Sequence, residues 1–274
     1  MTHLPVNYAL GASDAEIARL DAQSASIDAA TRLLLRAAGI APGMRVLDLG
    51  TGVGHVAMLI ADLVGAKEGS GHVVGIDTSS KLLSVAAARA AEHRGVRFVQ
   101  GDVRTWRDPE PFDAIVGRLI LFHLPDAVNV LRHQLGALRT GGLLLALDFD
   151  LGSARADPPV ALADEALGWV TAAFAAAGAD PTIGTRLAVL LRQAGVADVQ
   201  GFGVQGYFAP DDPRGPALLC GVVRTLAPQI TAAGIASAQQ IGIETLAPRL
   251  AAAMQARQSS FLPPALVGAW GRCG

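Results

Sequence analysis

VLDLGTGVGHVAMLIADLV, residues 46–64, decides the fold. Its first four residues are a short β-prone run with one acidic member, Asp48. Gly50, Gly52 and Gly54 then alternate with Thr51 and Val53, and His55 opens a helix-forming stretch. A strand, a glycine loop and a helix in immediate succession form a ligand cradle. The glycines permit a tight turn and let a ligand approach backbone N–H groups at a helix N-terminus, where the dipole favours an anionic group. The spacing is G-x-G-x-G, which differs from the G-x-G-x-x-G loop that seats a pyrophosphate.

The same alternation continues outward. Apolar β-rich runs at 45–49, 72–76, 96–100, 112–116 and 143–149 predict strands, and 53–64, 79–93 and 126–139 predict the helices between them. Strands alternating with helices argue for a parallel sheet covered on both faces, and the strands are mostly continuous apolar runs, as expected for double-sided burial. Upstream, Ser13-Asp-Ala-Glu16 is a capping-box pattern for one helix, and a second is expected over 26–38, ended by Gly39. Downstream, helices are expected within 158–178, 183–195, 215–234 and 237–257. Strands at 196–208 and 264–272 are expected to pair with each other. The resulting division is 1–39 N-terminal helices, 40–150 ligand-binding core, 151–212 helical insertion plus sixth strand, 213–263 helical lid insertion and 264–274 final strand. An insertion as long as the fourth of these is expected to have a function, most simply as a lid.

Composition narrows the function. The 274 residues carry 22 basic and 24 acidic side chains with no basic block, so neither nucleic acid nor an anionic membrane surface is expected as a partner. Two cysteines, Cys220 and Cys273, are too few for a disulfide framework or a zinc site, and the histidines show no metal spacing, so no metal is expected. The first twenty residues lack the basic start and apolar core of a secretory leader, and no apolar run is long enough to span a bilayer. A cytoplasmic enzyme or binding protein is the expectation. A nicotinamide oxidoreductase of the short-chain kind needs Tyr-x-x-x-Lys, whereas neither Tyr8 nor Tyr207 has a lysine four residues on, and the chain holds only Lys67 and Lys81.

Two aspartates sharpen the ligand. The second strand ends in VVGID, which puts Asp77 about twenty residues beyond the loop, where a carboxylate can hold both hydroxyls of a ribose. The third ends in VRFVQGDV, with Asp102 at its tip.

VLDLGTGVG, VVGIDTS, FVQGDV, FDAIVGRLILFHLPD and LRTGGLLLALDFD, in this order, resemble the class I S-adenosylmethionine-dependent methyltransferases, and in particular the bacterial small-molecule branch with its quinone-biosynthesis relatives. The resemblance is strong over residues 40 to 150 and weaker to the C-terminus. It implies a Rossmann-like, seven-stranded, mostly parallel sheet with an antiparallel last strand, helices on both faces and a helical lid. S-adenosyl-L-methionine is the implied cofactor. Asp48 and the loop Gly50, Thr51, Gly52 and Gly54 would meet its methionine end, and Asp77 its ribose, with Thr78 or Ser79 beside it. Asp102 would take the adenine amino group, with Gly101 beside it and the Val103 N–H at the ring. Gly117 and Arg118 would line the methionine side. The implied partner is a small-molecule acceptor bound by a monomer or homodimer.

A sulfonium methyl is already activated, so transfer needs alignment, exclusion of water and, for some acceptors, removal of a proton. His123 is a candidate base, because it follows the fourth strand and histidine titrates near neutrality. Bracing the turn at Pro125-Asp126 is its other reading. Asp148 and Asp150, two apart on the fifth strand, are further candidates for contact with the acceptor. Trp169, Phe174, Tyr207 and, before the first helix, Tyr8 are candidate pocket aromatics. Arg118 sits in an apolar run and needs a partner. A carboxylate of the protein (Asp48 or Asp148) is preferred over the cofactor's own carboxylate or an acidic acceptor. The competing functional class is a protein that binds the cofactor and transfers nothing.

Overall fold

The computed structural model describes residues 14–274, with side chains from Ile17 onward; the expected cap at Ser13 and the pocket role of Tyr8 lie outside the described residues. In chain order the first half forms α1 (Asp14–Ala38), β1 (Arg45–Leu49), α2 (His55–Val64), β2 (His72–Asp77), α3 (Ser80–Arg89), β3 (Val96–Gln100), β4 (Phe112–Arg118), α4 (Ala127–Leu135) and β5 (Leu138–Asp150). Then follow β6 (Arg155–Asp157), α5 (Ala161–Ala176), α6 (Leu187–Ala194) and β7 (Ala197–Val204). The chain ends with α7 (Arg214–Ala232), α8 (Ala238–Ile241), α9 (Ile243–Ala256), β8 (Ser260–Leu262) and β9 (Ala265–Arg272).

Seven strands form one sheet in the order β3-β2-β1-β4-β5-β9-β7. β1 pairs in parallel with β2 and β4, β2 with β3, and β4 with β5. The last strand, β9, runs antiparallel. Its end meets the start of β5 where Cys273 N–H donates to Gly142 O at 2.9 Å and Gly141 N–H to Cys273 O at 3.1 Å. Strand order reverses between β1 and β4, which is where an open α/β sheet leaves a crevice at its carboxyl ends. Leu47, Ile76, Ile115 and Leu145 are wholly buried, and β1 and β4 present almost no exposed residue. This is the pattern of strands covered on both faces.

The chain divides into two compact units. One comprises the chain up to Asp148 with Thr185–Phe202 and Leu266–Gly274, and the other Phe149–Gly184 with Gly203–Ala265. The first holds α1–α4, α6 and nearly all of the large sheet. Within the second, α7 packs on α5 and α9, and β6 pairs antiparallel with β8. The stretch 185–202, with α6 and most of β7, belongs to the first unit.

Several boundaries differ from the sequence reading. The two expected N-terminal helices are one 25-residue helix. Nothing between them breaks a helix: Ser26 Oγ donates to Gln23 O, Thr31 Oγ1 to Ile27 O and Ser24 Oγ to Asp28 Oδ1, so each hydroxyl is satisfied inside the helix. β5 begins at Leu138, five residues early, because Gly141 takes φ 74° and lets the strand continue through Thr140-Gly141-Gly142. The helix expected over 237–257 is split into α8 and α9 by Gly242 at φ 52°. The turn 183–186 ahead of α6 is 3-10 rather than α. The short pair β6 and β8 had no signal of its own in three-residue runs.

Candidate functional site

The carboxyl ends of β1, β2, β3, β4 and β5 bring most of the predicted residues to one edge. The glycine loop begins where β1 stops. Gly50 and Gly54 adopt φ 65° and 86°, and a Cβ on Gly50 would fall 2.5 Å from Ile120 Cδ1. Only glycine meets both conditions without displacing that neighbour. Beside Gly52 nothing lies within 4 Å of the position a Cβ would take, so its face is open. The loop is pinned from β2. Thr51 N–H donates to Ile76 O at 2.9 Å, and Gly52 N–H donates to Asp77 Oδ2 at 2.9 Å. The other oxygen, Asp77 Oδ1, accepts the Ser79 N–H at 2.9 Å, and Ser79 in turn caps α3. Thr78, between them, is exposed.

Beneath the loop lies Asp48, 1% exposed. Among the described residues its Oδ2 has no hydrogen-bond partner. Burial pushes its carboxyl up to about 7. Thr51, the Arg118 guanidinium and the Ala57 N–H pull the other way, and the nearby Asp77 adds to the rise.

Arg118 closes β4 next to Gly117, and its side chain is 8% exposed. The expected partners Asp48 and Asp148 are not its ion-pair partner. Arg118 donates to Asp28 Oδ1 at 3.2 Å, Thr31 Oγ1 at 3.0 Å and Ser24 Oγ at 2.8 Å, all on α1. The correction has a helical logic. Asp21, Ser24, Asp28 and Thr31 recur at the spacing of one helix face, and this face is polar where it passes the strand ends. It becomes apolar at Leu34, Leu35 and Ala38, all buried. Asp21 makes the second staple. It meets His55 Nε2 at 2.8 Å and accepts from Arg89 at 2.9 Å, so α1 is tied to the first residue of α2 and the last of α3. His55 thus belongs to an ionic cluster at the loop. Asp21, Asp28 and Ile120 are the residues that motif reading missed. The polar 21/24/28/31 stripe was the available signal for the two aspartates.

At the tip of β3, Asp102 accepts from Arg104 Nε at 2.9 Å on each oxygen and from the Arg104 backbone N–H at 2.9 Å. Gly101 lies against Trp106, whose Cδ1 is 2.8 Å from where a Cβ would sit. Val103 is buried, and its carbonyl accepts from Gln134 Nε2, itself buried, at 2.6 Å.

The catalytic candidates fare differently from the cofactor-side ones. Leu119, directly after Arg118, is held at φ 57°, an unfavourable conformation for leucine. The chain then turns into a single 3-10 turn, Leu121–His123. His123 is half-buried, edge-on to the Phe122 ring at 4.7 Å. Burial and the Arg19 charge pull its imidazole down to about 4. It is therefore neutral at physiological pH and a weak proton acceptor, contrary to the expectation of a base poised near neutrality. Asp148 is 0% exposed and accepts the Phe122 N–H at 3.2 Å, so it braces the same turn. Asp150 accepts the Gly152 N–H at 3.0 Å, a turn-capping role.

The aromatic candidates Trp169, Phe174 and Tyr207 belong to the second unit. Trp169 is 6% exposed, among the helix-packing residues of α5. Tyr207 is 66% exposed, and its hydroxyl accepts from Ser260 Oγ at 3.1 Å. A cleft of about 590 Å³ opens on the first unit elsewhere, beside the starts of β1, β2 and β3, with Arg45, Arg94, Arg97 and Trp106 in its wall. Arg45 and Arg97 are already committed there to Asp108. Among the described residues no cluster of His, Cys, Asp or Glu could hold a metal ion, and no helix is long and apolar enough to cross a membrane.

Known proteins share this family and fold. Residues 40–177, half of the 274-residue chain, match the methyltransferase-domain family. The chain is 36% identical over 121 residues to 2-phytyl-1,4-naphtoquinone methyltransferase of Synechococcus elongatus, covering 43% of this chain and 51% of that one. It is 34% identical over 103 residues to trans-aconitate 2-methyltransferase of Streptomyces avermitilis, covering 36% and 37%. The matches thus span about half, or less, of the length of these curated relatives. Among solved structures it superposes on the YcgJ protein of Bacillus subtilis with TM-score 0.55 at 20% identity, covering 89% of this chain and 98% of that one. With its sheet order, its glycine loop and its strand-end aspartates, the chain belongs to the class I S-adenosylmethionine-dependent methyltransferases.

Proposed function

We propose that the protein transfers the methyl group of S-adenosylmethionine to a small-molecule acceptor. The observation that carries this reading is the charge of the loop's surroundings. Two acidic side chains, Asp48 and Asp77, stand at its base, while the guanidinium groups beside it, Arg118 and Arg89, are committed to Asp28 and Asp21. A pyrophosphate brought here would meet the like charge of Asp77. A ligand bearing a sulfonium and an ammonium would meet opposite charge, so the residues fit this cofactor.

In this reading Asp77 receives the ribose. Each of its oxygens has one backbone N–H, which leaves lone pairs for two hydroxyls. Asp102, oriented by Arg104, accepts from the adenine amino group beside the Val103 backbone, which Gln134 holds in place. Gly50 to Gly54, with Gly117 and Ile120, bound the methionine end.

The cofactor supplies an electrophilic methyl on a positive sulfur. The chain's task is then to hold the acceptor in line and keep water out. With the His123 imidazole pulled down to about 4, and so weakly basic, and the Asp148 carboxylate turned to the Phe122 N–H, neither is assigned as the general base. Catalysis by alignment of an acceptor that is nucleophilic without help is the better-supported mechanism. The relatives named for a quinone and for trans-aconitate support a small metabolite as acceptor. Trp169, Phe174 and Tyr207 remain candidate acceptor contacts, and a monomer or homodimer in the cytoplasm remains the expected setting.

The test is transfer of labelled methyl to a panel of small quinones, phenols and carboxylic acids, run alongside cofactor binding by calorimetry. Label in an acceptor supports the proposal. Binding without transfer across the panel and in cell extract points to a binding protein instead.

A further inference from the structure

We infer that Asp48 carries a proton in the free protein and releases it when S-adenosylmethionine occupies the glycine loop. This rests on the cofactor reading above and assigns Asp48 a proton-linked binding role. Asp48 is fully enclosed, and one of its oxygens has no hydrogen-bond partner among the described residues. An ionised carboxylate so placed is costly without a compensating charge. The charges around it do not supply one. From β4, Arg118 faces it, but three of that guanidinium's contacts are on α1, including the ion pair to Asp28. From β2, Asp77 faces it with like charge. From its own loop and α2, Thr51 and the Ala57 N–H contribute dipoles and no charge.

A proton is thus the counter-charge available to Asp48 in the free protein. A bound ligand carrying positive charge supplies another, and the proton then leaves to solvent. The raised carboxyl, at about 7, puts the exchange in the physiological range. Linkage fixes the sign. Below neutrality, cofactor affinity should fall with falling pH, approaching tenfold per pH unit well below the free-state value, and it should level off above it.

The experiment is calorimetric titration of the intact protein with S-adenosylmethionine at pH 7 in buffers of different ionisation enthalpy. The expected result is net release of roughly half a proton per site in the wild type. Asp48→Asn, which keeps the shape and removes the titration, is expected to show a smaller release or none. Wild-type binding with no buffer dependence overturns the inference, as does equal release from Asp48→Asn. Difference infrared spectroscopy of the wild type reads the same event without a variant. A protonated-carboxyl band lost on binding supports the inference, and an unchanged spectrum in that region overturns it. Absence of any binding defeats the cofactor reading itself, so the two failures are distinguishable.

Discussion

Removing Asp28 should destabilise the protein through Arg118, a residue ninety positions away in sequence. The Arg118 side chain is 8% exposed and its ion pair with Asp28 spans 3.2 Å. Breaking a fully buried pair from one side costs about 3–5 kcal/mol, because the other charge is left uncompensated. Here the Asp28 side chain is 36% exposed, so water screens part of the loss. Thr31 and Ser24 also still accept from the guanidinium. About 2 kcal/mol is the expected cost of Asp28→Ala, a fall in Tm of roughly 4–8 °C for a chain of this size. Urea denaturation of Asp28→Ala, Arg118→Met and the double variant forms a cycle that isolates the pair. The double variant should be less destabilised than the sum of the singles, with a coupling of at least about 1 kcal/mol. Additivity within about 0.3 kcal/mol would refute the claim that Asp28 is the counter-charge.

Three further outcomes follow from the same contacts. Leu119 sits at φ 57°, so Leu119→Gly should be neutral or stabilising in thermal denaturation, whereas Leu119→Val should cost more than about 1 kcal/mol. A Cβ at Gly54 would press on Ala86 Cβ at 3.0 Å and on Phe98 at 3.2 Å, at φ 86°; Gly54→Ala should lower Tm and weaken cofactor binding together. In the free protein the Asp48 carboxyl is raised to about 7. It therefore stabilises the fold fully below its unfolded value near 4 and loses that contribution as pH rises through 7, a change of up to about 4 kcal/mol. Stability of the free protein measured from pH 5 to 8 should fall more steeply for the wild type than for Asp48→Asn.

The order of strands and helices around the loop is legible in the sequence because most of these strands are apolar runs with a glycine or aspartate at or just past their ends. Asp48, Asp77 and Asp102 stand at the strand ends where their motifs put them. Other features need three dimensions. Arg118 looked like a charge seeking a partner near it in the sheet, yet its counter-ion is on α1, and no local pattern encodes a contact over that separation. His123 has the composition of a base, yet partial burial against Phe122 and the Arg19 charge lower its basicity, and composition does not report surroundings. Asp148 reads as a strand-end acid, whereas the turn after β4 claims its carboxylate through the Phe122 N–H. The polar stripe of α1 was present in the sequence. It reads as a solvent face until the fold sets it against the strand ends.

The central claim is that the loop between β1 and α2, with Asp77 beneath it, binds a cationic nucleoside cofactor. Calorimetry of wild type and Asp77→Ala with S-adenosylmethionine and with NAD tests it directly. The account predicts binding of S-adenosylmethionine and none of NAD, with affinity about tenfold or more weaker in Asp77→Ala, since hydrogen bonds to a charged group contribute roughly 1.5–3 kcal/mol. Equal affinity in wild type and variant, or preference for NAD, would contradict it.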